Sequence, residues 1–490
     1  MKPDKYQKKI INTKTKNLLV LAGAGTGKTY TIVEKIKKII KDGIKPNEIL
    51  CISFTKESAL SLQNNLKKQN IYIKVKTFHS LGYQIINEYK EINIVKKDTL
   101  SNIIEKQLRK EKHLKEITKV KFITLGKNDK TIRKIQNNII INSKYKKILE
   151  NTIQNFINYF KGNNMNKKDY QNFKLLNQKS NIYNEKQRHK YFLSLTEKII
   201  KKYENYLSKN KEIDYNDMIN IAIKIIKKKN ILNYKYIIID EYQDISLNKI
   251  ILIKEIQKQT KSKLLAVGDD FQSIYSFTGS NIDIIINFKK YIKKSKIKKL
   301  KTTYRNSKEL IKITQKFICQ NPNQIKKNIQ SKKKNKYPII IYYYKDSIKE
   351  VWDEVEKKVG GQKTLILGRN NKDKLTIPKI TDNMKYLTIH KSKGLESENT
   401  IIINLEDKYD SLPSKIEESE YLKYVKPKID NFKYSEERRL FYVGLTRCRG
   451  YNILLVKKDN PSVFIKEILN KNKKKCQNNW QNIEQRNILY

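Results

Sequence analysis

Residues 22–29, AGAGTGKT, place three glycines, a lysine and two threonines at the end of an apolar run, NLLVLA. The backbone N–H groups of such a turn, opening into a helix N-terminus, form an anion site suited to a phosphate chain. Lys28 would reach the β- and γ-phosphates, and the Thr29 hydroxyl would ligate Mg²⁺. The pattern G-x-x-x-x-G-K-[ST] starts on glycine, whereas this chain has Ala22. That position is farthest from the phosphates, where a methyl group is accommodated. Gly23, Ala24, Gly25, Thr26 and Gly27 make up the rest of the cradle.

A second constellation, YIIIDEYQD, ends an apolar run on Asp240 and Glu241. Two acids at a strand tip are costly unless metal or solvent meets them. Beside the phosphate loop, Asp240 could hold Mg²⁺ and Glu241 could take a proton from attacking water. Arginine is scarce in this lysine-rich chain. Where it persists (Arg305, Arg438, Arg439 and Arg447 among few), a planar fork for phosphate oxygens is the chemistry that lysine lacks. Tyr275 and Phe277 offer stacking surfaces for bases, and an aromatic pair of this kind also serves core packing.

These groups need a scaffold, and the apolar pattern supplies an α/β one. Residues 17–22 form a strand and 28–41 a helix with Ile32, Val33, Ile36, Ile39 and Ile40 on one side. EILCISF is a second strand, with a helix beginning near Glu57. YKYIIIDE and KLLAVGDD are near-continuous apolar runs, as in strands buried on both faces of a parallel sheet. Between Gly82 and Asn230 lysine-rich segments carry a 3.6-residue period, which predicts a helical insertion. A second strand series is expected from KIKKLKTTY onward, through YPIIIYYY, TLILGRN, KYLTIH, NTIIINL and YNILLV. The resulting division is 1–89 and 216–284 for the first α/β domain, 90–215 for the insertion, 285–470 for the second α/β domain and 471–490 for a polar, frayed tail.

Bulk properties bound the partners. In 490 residues Lys+Arg outnumber Asp+Glu 105 to 49, a net charge of +56, which attracts polyanions. Lys, Asn, Ile and Tyr are all abundant, as an AT-rich gene would produce, so charge alone supports nucleic-acid binding only weakly. Four dispersed cysteines form no C-x-x-C pair, which argues against zinc, iron–sulfur and disulfide frameworks and for a reducing compartment. The basic-then-apolar amino end is a buried strand rather than a signal peptide, because its apolar run is short and leads directly into Lys28. No segment is long enough to span a bilayer, so an intracellular, soluble protein of cytoplasm, nucleoid or nucleus is expected.

In order along the chain, AGAGTGKT, CISFTKESA, KTFHSLG, IIIDEYQD, VGDDFQSIYSFTGS, TTYRNS, LTIHKSKGLES and EERRLFYVGLTR resemble the motifs of superfamily 1 helicases of the UvrD/Rep type, a family that includes PcrA-like proteins. The resemblance implies two RecA-like P-loop NTPase domains, ATP and Mg²⁺ as cofactors, and single-stranded DNA and DNA junctions as partners. It implies 3′→5′ movement in repair, recombination or replication. By position it implies that Gln7 reads adenine, Gln272 senses the γ-phosphate, Tyr304 stacks near the base and Glu396 bonds the ribose. Arg305 and Arg447 would cross from the second domain as arginine fingers. Phe54, Thr55, His79, Tyr275, Phe277 and His390 match strand-contacting positions.

The chain departs from the family at four places. Tyr30 replaces an arginine, Phe277-Thr278 replaces Trp-Arg, and Lys56-Glu57 replaces Asn-Lys. The interval Asn306 to Leu387 is nearly filled by the core's own strands and helices, so the family's large second-domain insertion is absent or vestigial. Two alternatives to a helicase therefore stand: a single-strand translocase that strips proteins without opening duplex, and a nucleotide-gated binding protein that does not turn over.

Overall fold

The computed structural model describes residues 2–89, 91–117, 143–179, 182–416, 418–426, 430–472 and 476–478. Strands are numbered in chain order and helices are named by their residues. The first sheet contains β1 (Asn17–Ala22), β2 (Ile49–Ser53), β3 (Val75–Thr77), β6 (Tyr236–Ile239), β7 (Lys263–Gly268) and β8 (Ser295–Leu300). Its order is β3-β2-β6-β7-β1-β8, and every neighbouring pair is parallel. β4 (Asn93–Ile94) and β5 (Glu212–Ile213) form a separate two-stranded pair at the root of the insertion.

β1, β2 and β6 are buried along their whole length, because helices cover both faces of the sheet. The helix Lys28–Lys41 turns Ile32, Val33, Ile36 and Ile39 inward, and Thr55 caps Lys56–Lys67 by accepting the Ser58 N–H at 3.1 Å. In such sheets ligands sit beyond the carboxyl ends of the strands. The phosphate-loop sequence follows the end of β1, and Asp240 follows the end of β6.

The second sheet contains β9 (Ile339–Tyr344), β10 (Thr364–Gly368), β11 (Met384–Thr388), β12 (Asn399–Ile402), β13 (Asn452–Lys457) and β14 (Cys476–Asn478). Its order is β11-β10-β12-β13-β9-β14, again parallel. The interval 306–387 is occupied by the helix Lys308–Ile318, β9, the helix Lys349–Val359, β10 and β11, the sheet's own elements.

Two boundaries differ from expectation. Ser295–Leu300 does not begin the second sheet: it pairs with β1 from Asn17↔Ser295 to Ala22↔Leu300. Its three lysines, Lys296, Lys298 and Lys299, suit an edge strand, unlike the buried IIIYYY run of β9. The first α/β unit thus extends past residue 284. In the tail, Cys476–Asn478 adds an edge strand beside Ile339–Ile341, because the edge of β9 leaves backbone groups to pair. The remainder of 473–490 lies outside the described residues.

The helices Thr99–Leu108, Leu114–Ile117, Ser143–Gly162, Lys167–Gln178 and Tyr183–Lys209 make up the described part of the insertion. Residues 90, 118–142 and 180–181 fall outside it. Its core is completed from far along the chain by Tyr421, Leu422, Tyr424 and Val425, which lie on a strap between β12 and the helix Ser435–Leu445. The Tyr421 ring stacks on Phe192 at 3.9 Å, and its hydroxyl donates to the Ile117 carbonyl at 2.6 Å. Around it His189 meets the Tyr424 hydroxyl at 2.9 Å, and Asn163 donates to the Val425 carbonyl at 2.7 Å. Tyr421→Ala is expected to destabilise this body by about 3–5 kcal/mol, the usual cost of removing a buried aromatic ring. Hydrogen exchange should show lost protection in the helices Ser143–Gly162 and Tyr183–Lys209; unchanged protection there would reduce the strap to a surface contact.

Candidate nucleotide site and aromatic cluster

The turn after β1 follows its glycines. Gly25 (φ 68°) and Gly27 (φ 76°) occupy the left-handed region, and Gly27 caps the helix Lys28–Lys41 with no side chain. A Cβ on Gly25 would lie 2.4 Å from the Arg305 Cβ, and one on Gly27 would lie 2.8 Å from Gln7 Nε2. Glycine is therefore required at both positions by conformation, and at Gly25 by space as well. Ala22 is a buried strand end.

The loop bounds a cavity of about 850 Å³, lined by Lys28, Thr29, Tyr30, Asp240, Glu241, Gln272, Tyr304, Arg305, Glu396 and Arg447 among others. Ala24, Gly25, Thr26 and Gly27 form one wall; Ala22, Gly23 and Gln7 stand behind it. Lys28 Nζ lies 2.7 Å from Glu241 Oε1. Burial works against its charge, but Glu241 and Asp240 outweigh it and raise its pKa. Burial also opposes ionisation of Glu241, yet Lys28 and Lys393 hold its pKa down at about 2. Burial and the Glu241 charge push Asp240 up to about 6. The backbone of Glu241 is left-handed (φ 53°), a strain of about 1–3 kcal/mol for a non-glycine residue and typical of functional sites.

Asp240 accepts the Glu241 N–H at 2.9 Å, which leaves lone pairs for a cation. With the Thr29 hydroxyl on the same cavity, the donor set fits Mg²⁺, which takes few protein oxygens and keeps several waters. No group of three or more His, Cys, Asp or Glu suited to a metal occurs among the described residues.

The two candidate fingers reach the cavity from different bodies. Contrary to expectation, Arg305 does not cross from the second sheet. It stands on the connector leaving β8, where Thr303 Oγ1 donates to the Ala24 carbonyl and the Tyr304 N–H to the Gly25 carbonyl, both at 2.9 Å. The cause is the pairing of β8 with β1, which brings both carboxyl ends together. Arg305 Nε donates to Glu396 at 2.8 Å and Nη1 to the Thr446 carbonyl at 3.2 Å. Arg447 does come from the second unit, just past the helix Ser435–Leu445. It is buried and donates to Gln272 Oε1 at 3.0 Å, while Gln272 Nε2 donates to Asp269 at 2.7 Å. A chain of polar contacts therefore crosses the cleft.

Gln7 completes a capping box with Asp4, and its Nε2 is buried without a hydrogen-bond partner. Tyr304 donates to Asp4 at 3.0 Å. Glu396 is paired with both Arg305 and Arg449.

The aromatic residues gather in one cluster that joins the two units. Phe54 stacks on Tyr275 at 5.6 Å, and Phe277 meets Tyr275 at 6.0 Å and His390 at 5.7 Å. Thr55, Tyr275 and His390 also line this cavity, so the aromatic cluster adjoins it. Phe277 is 51 % exposed, which is more than core packing would leave. His79 stands apart against Tyr215, at 5.3 Å. Burial holds the pKa of His79 and of His390 at about 4, so both rings are neutral at pH 7.

Sequence reasoning missed Lys393, which donates to the Gln272 carbonyl at 2.7 Å and to Asp244. It also missed Lys327, buried between Asp269 and Asp270. The first lies inside a motif already quoted. The second has no signal in a chain so rich in lysine. Arg438 and Arg439 do not reach the cavity: Arg438 pairs with Glu467, and Arg439 holds Asp430 and the Ser273 carbonyl.

A glycine-rich phosphate loop, a strand-tip acid pair and arginines converging on one cleft between parallel sheets define a P-loop NTPase with two α/β lobes. The chain belongs to the UvrD/REP helicase family, whose N-terminal domain model matches residues 4–293; a model of the viral superfamily 1 RNA helicase core domain matches residues 210–454. It is 26 % identical to DNA helicase IV of Escherichia coli (strain K12) over 474 residues, covering 93 % of this chain and 68 % of that protein. It is 28 % identical to the ATP-dependent DNA helicase Rep of Buchnera aphidicola subsp. Acyrthosiphon pisum (strain APS) over 433 residues, 82 % of this chain and 61 % of that one. With the ATP-dependent DNA helicase PcrA of Staphylococcus aureus (strain Mu50) it shares 24 % over 357 residues, 69 % and 42 % of the respective chains. No helix among the described residues is long and apolar enough to cross a membrane.

Proposed function

We propose that this chain is an ATP-driven motor that moves along single-stranded DNA, 3′→5′, and opens duplex in repair, recombination or replication. The observation that carries this reading is the meeting of Arg305 and Arg447 with Lys28, Asp240 and Glu241 around one cavity. Lys28 exchanges Glu241 for the β- and γ-phosphates, which frees the carboxylate to orient water and accept its proton. Thr29 and Asp240 would hold Mg²⁺, which would supply charge neutralisation at the phosphates. Gln7 meets the base edge, Tyr304 and Tyr30 flank the nucleotide, and Glu396 turns from the arginines to the ribose. Gln272, bonded to Arg447 across the cleft, passes the nucleotide state to the cluster of Phe54, Tyr275, Phe277 and His390. Thr55 and His79 contact the strand beside it. If each lobe grips the strand in alternate nucleotide states, opening and closing becomes stepping.

The test is ATP turnover with and without single-stranded DNA, followed by unwinding of forked duplexes with 3′ or 5′ tails. Strand-stimulated hydrolysis with opening of 3′-tailed forks is expected. Turnover indifferent to strand would end the motor reading. The packed interval 306–387 favours a second reading, a translocase that strips bound proteins without separating strands; stimulation without unwinding would select it. Strand affinity is expected to fall steeply as salt rises, because each neutralised phosphate releases counterions. A flat response in filter binding would remove the phosphate contacts.

A further inference from the structure

Four lysines are buried among the described residues: Lys35, Lys161, Lys249 and Lys327. Three have oxygen partners. Lys35 donates to the Ile11 and Thr13 carbonyls, Lys161 to Asp214 and Asp217, and Lys327 pairs with Asp269 and Asp270. Lys249, 8 % exposed, has ring faces instead: its Nζ lies 4.8 Å from the centroid of Phe54 and 5.8 Å from that of Phe78. Ring faces return less than removing an ammonium from water costs. The nearby Asp244 is already paired with Lys393. Lys249 also stands in the first turn of the helix Leu247–Thr260, where the macrodipole favours anions over cations.

A cation in this setting lacks an anion, and its neighbours indicate which one. Phe54 begins the aromatic cluster, Phe78 precedes His79, and the Lys249 charge helps depress His79. Lys249 therefore lies between the stacking surfaces and His79. We propose, on the basis of the motor reading above, that Lys249 binds a backbone phosphate of the single strand as its bases stack on the aromatic cluster. The phosphate would meet both the ammonium and the N-terminal end of the helix Leu247–Thr260, which complements negative charge.

A pH dependence follows. Burial pushes the free Lys249 down to about 8, with Asp244 offsetting only part of the effect; His79, the other titrating neighbour, is neutral there. A bound phosphate raises the lysine again. Strand affinity is then flat below the free value, where the ammonium is protonated with or without strand, and declines above it as binding must take up a proton.

The experiment measures binding of fluorescein-labelled oligothymidylate to wild type, Lys249→Met and Lys249→Arg across a salt series. The slope of log affinity against log salt should be shallower by about 0.7 in Lys249→Met, one phosphate contact on a single strand, and intact in Lys249→Arg. ATP turnover without strand should be equal in all three. A wild-type slope in Lys249→Met, with or without lowered thermal stability, reduces Lys249 to a packing residue and overturns the proposal. Should Lys249→Met fail to fold, calorimetry in buffers of different ionisation enthalpy decides at a pH of about 8.5. Wild type should take up protons on binding strand and Lys249→Arg should not; equal uptake overturns the proposal. A wild-type protein that binds no strand at all refutes the motor reading instead.

Discussion

Arg305→Ala is expected to lower strand-stimulated ATP turnover by about 10³-fold, the lower end of what an arginine finger supplies, while strand binding survives. The guanidinium is held towards the cavity by Glu396 and the Thr446 carbonyl, and Glu396 has a second partner. Arg449 still pairs with Glu396, so truncation removes a charge from the cavity without leaving a carboxylate alone. The fold should tolerate the change, because the Thr303 and Tyr304 contacts that fasten this connector to the phosphate loop do not use the Arg305 side chain. Arg305→Lys should recover little, since an ammonium cannot match the two-pronged geometry of the guanidinium. Steady-state turnover at saturating ATP and strand provides the measurement. A loss of less than tenfold in Arg305→Ala would leave Arg447 as the finger and reduce Arg305 to a partner of Glu396.

Glu241→Gln is expected to bind ATP and single strand but to hydrolyse about 10²–10⁴-fold more slowly, the usual contribution of a general base. The amide keeps the shape of the carboxylate but cannot accept the proton of attacking water. Lys28 and Lys393 hold Glu241 ionised, so at neutral pH the carboxylate is available as base once Lys28 turns to phosphate. Removing its charge also frees Lys28 from a 2.7 Å ion pair, so nucleotide affinity should hold or rise. Fluorescent-nucleotide binding and single-turnover hydrolysis separate the two effects. Unchanged hydrolysis would exclude Glu241 as the base, and lost nucleotide binding would make it a structural partner of Lys28.

Much of this site was legible because its chemistry is local. The phosphate loop needs glycines at two left-handed positions and a lysine at the start of a helix, all within eight residues. The acid pair announces itself as charge at the end of a strand otherwise buried. The scarce arginines were informative because lysine is so abundant, although Arg438 turned out to pair within the second lobe and Arg439 to tie that lobe to the Ser273 carbonyl of the first. Buried lysines were the opposite case: Lys249 and Lys327 carry no signal that distinguishes them from a solvated surface charge. Only their burial and partners separate them from the rest.

Taken by itself, the amino-acid sequence determined the α/β class, the extents of β1 and of the helix Lys28–Lys41, and the residues from which a nucleotide site could be made. Those are consequences of short-range periodicity and of turns that few side chains can enter. Tertiary structure decided which sheet receives Ser295–Leu300, and through that pairing from which body Arg305 approaches. It decided that residues 421–425 complete the core of an insertion more than two hundred positions earlier. Strand partners and core neighbours are chosen by shape and by the removal of apolar surface from water across the whole chain, and no local pattern encodes that choice.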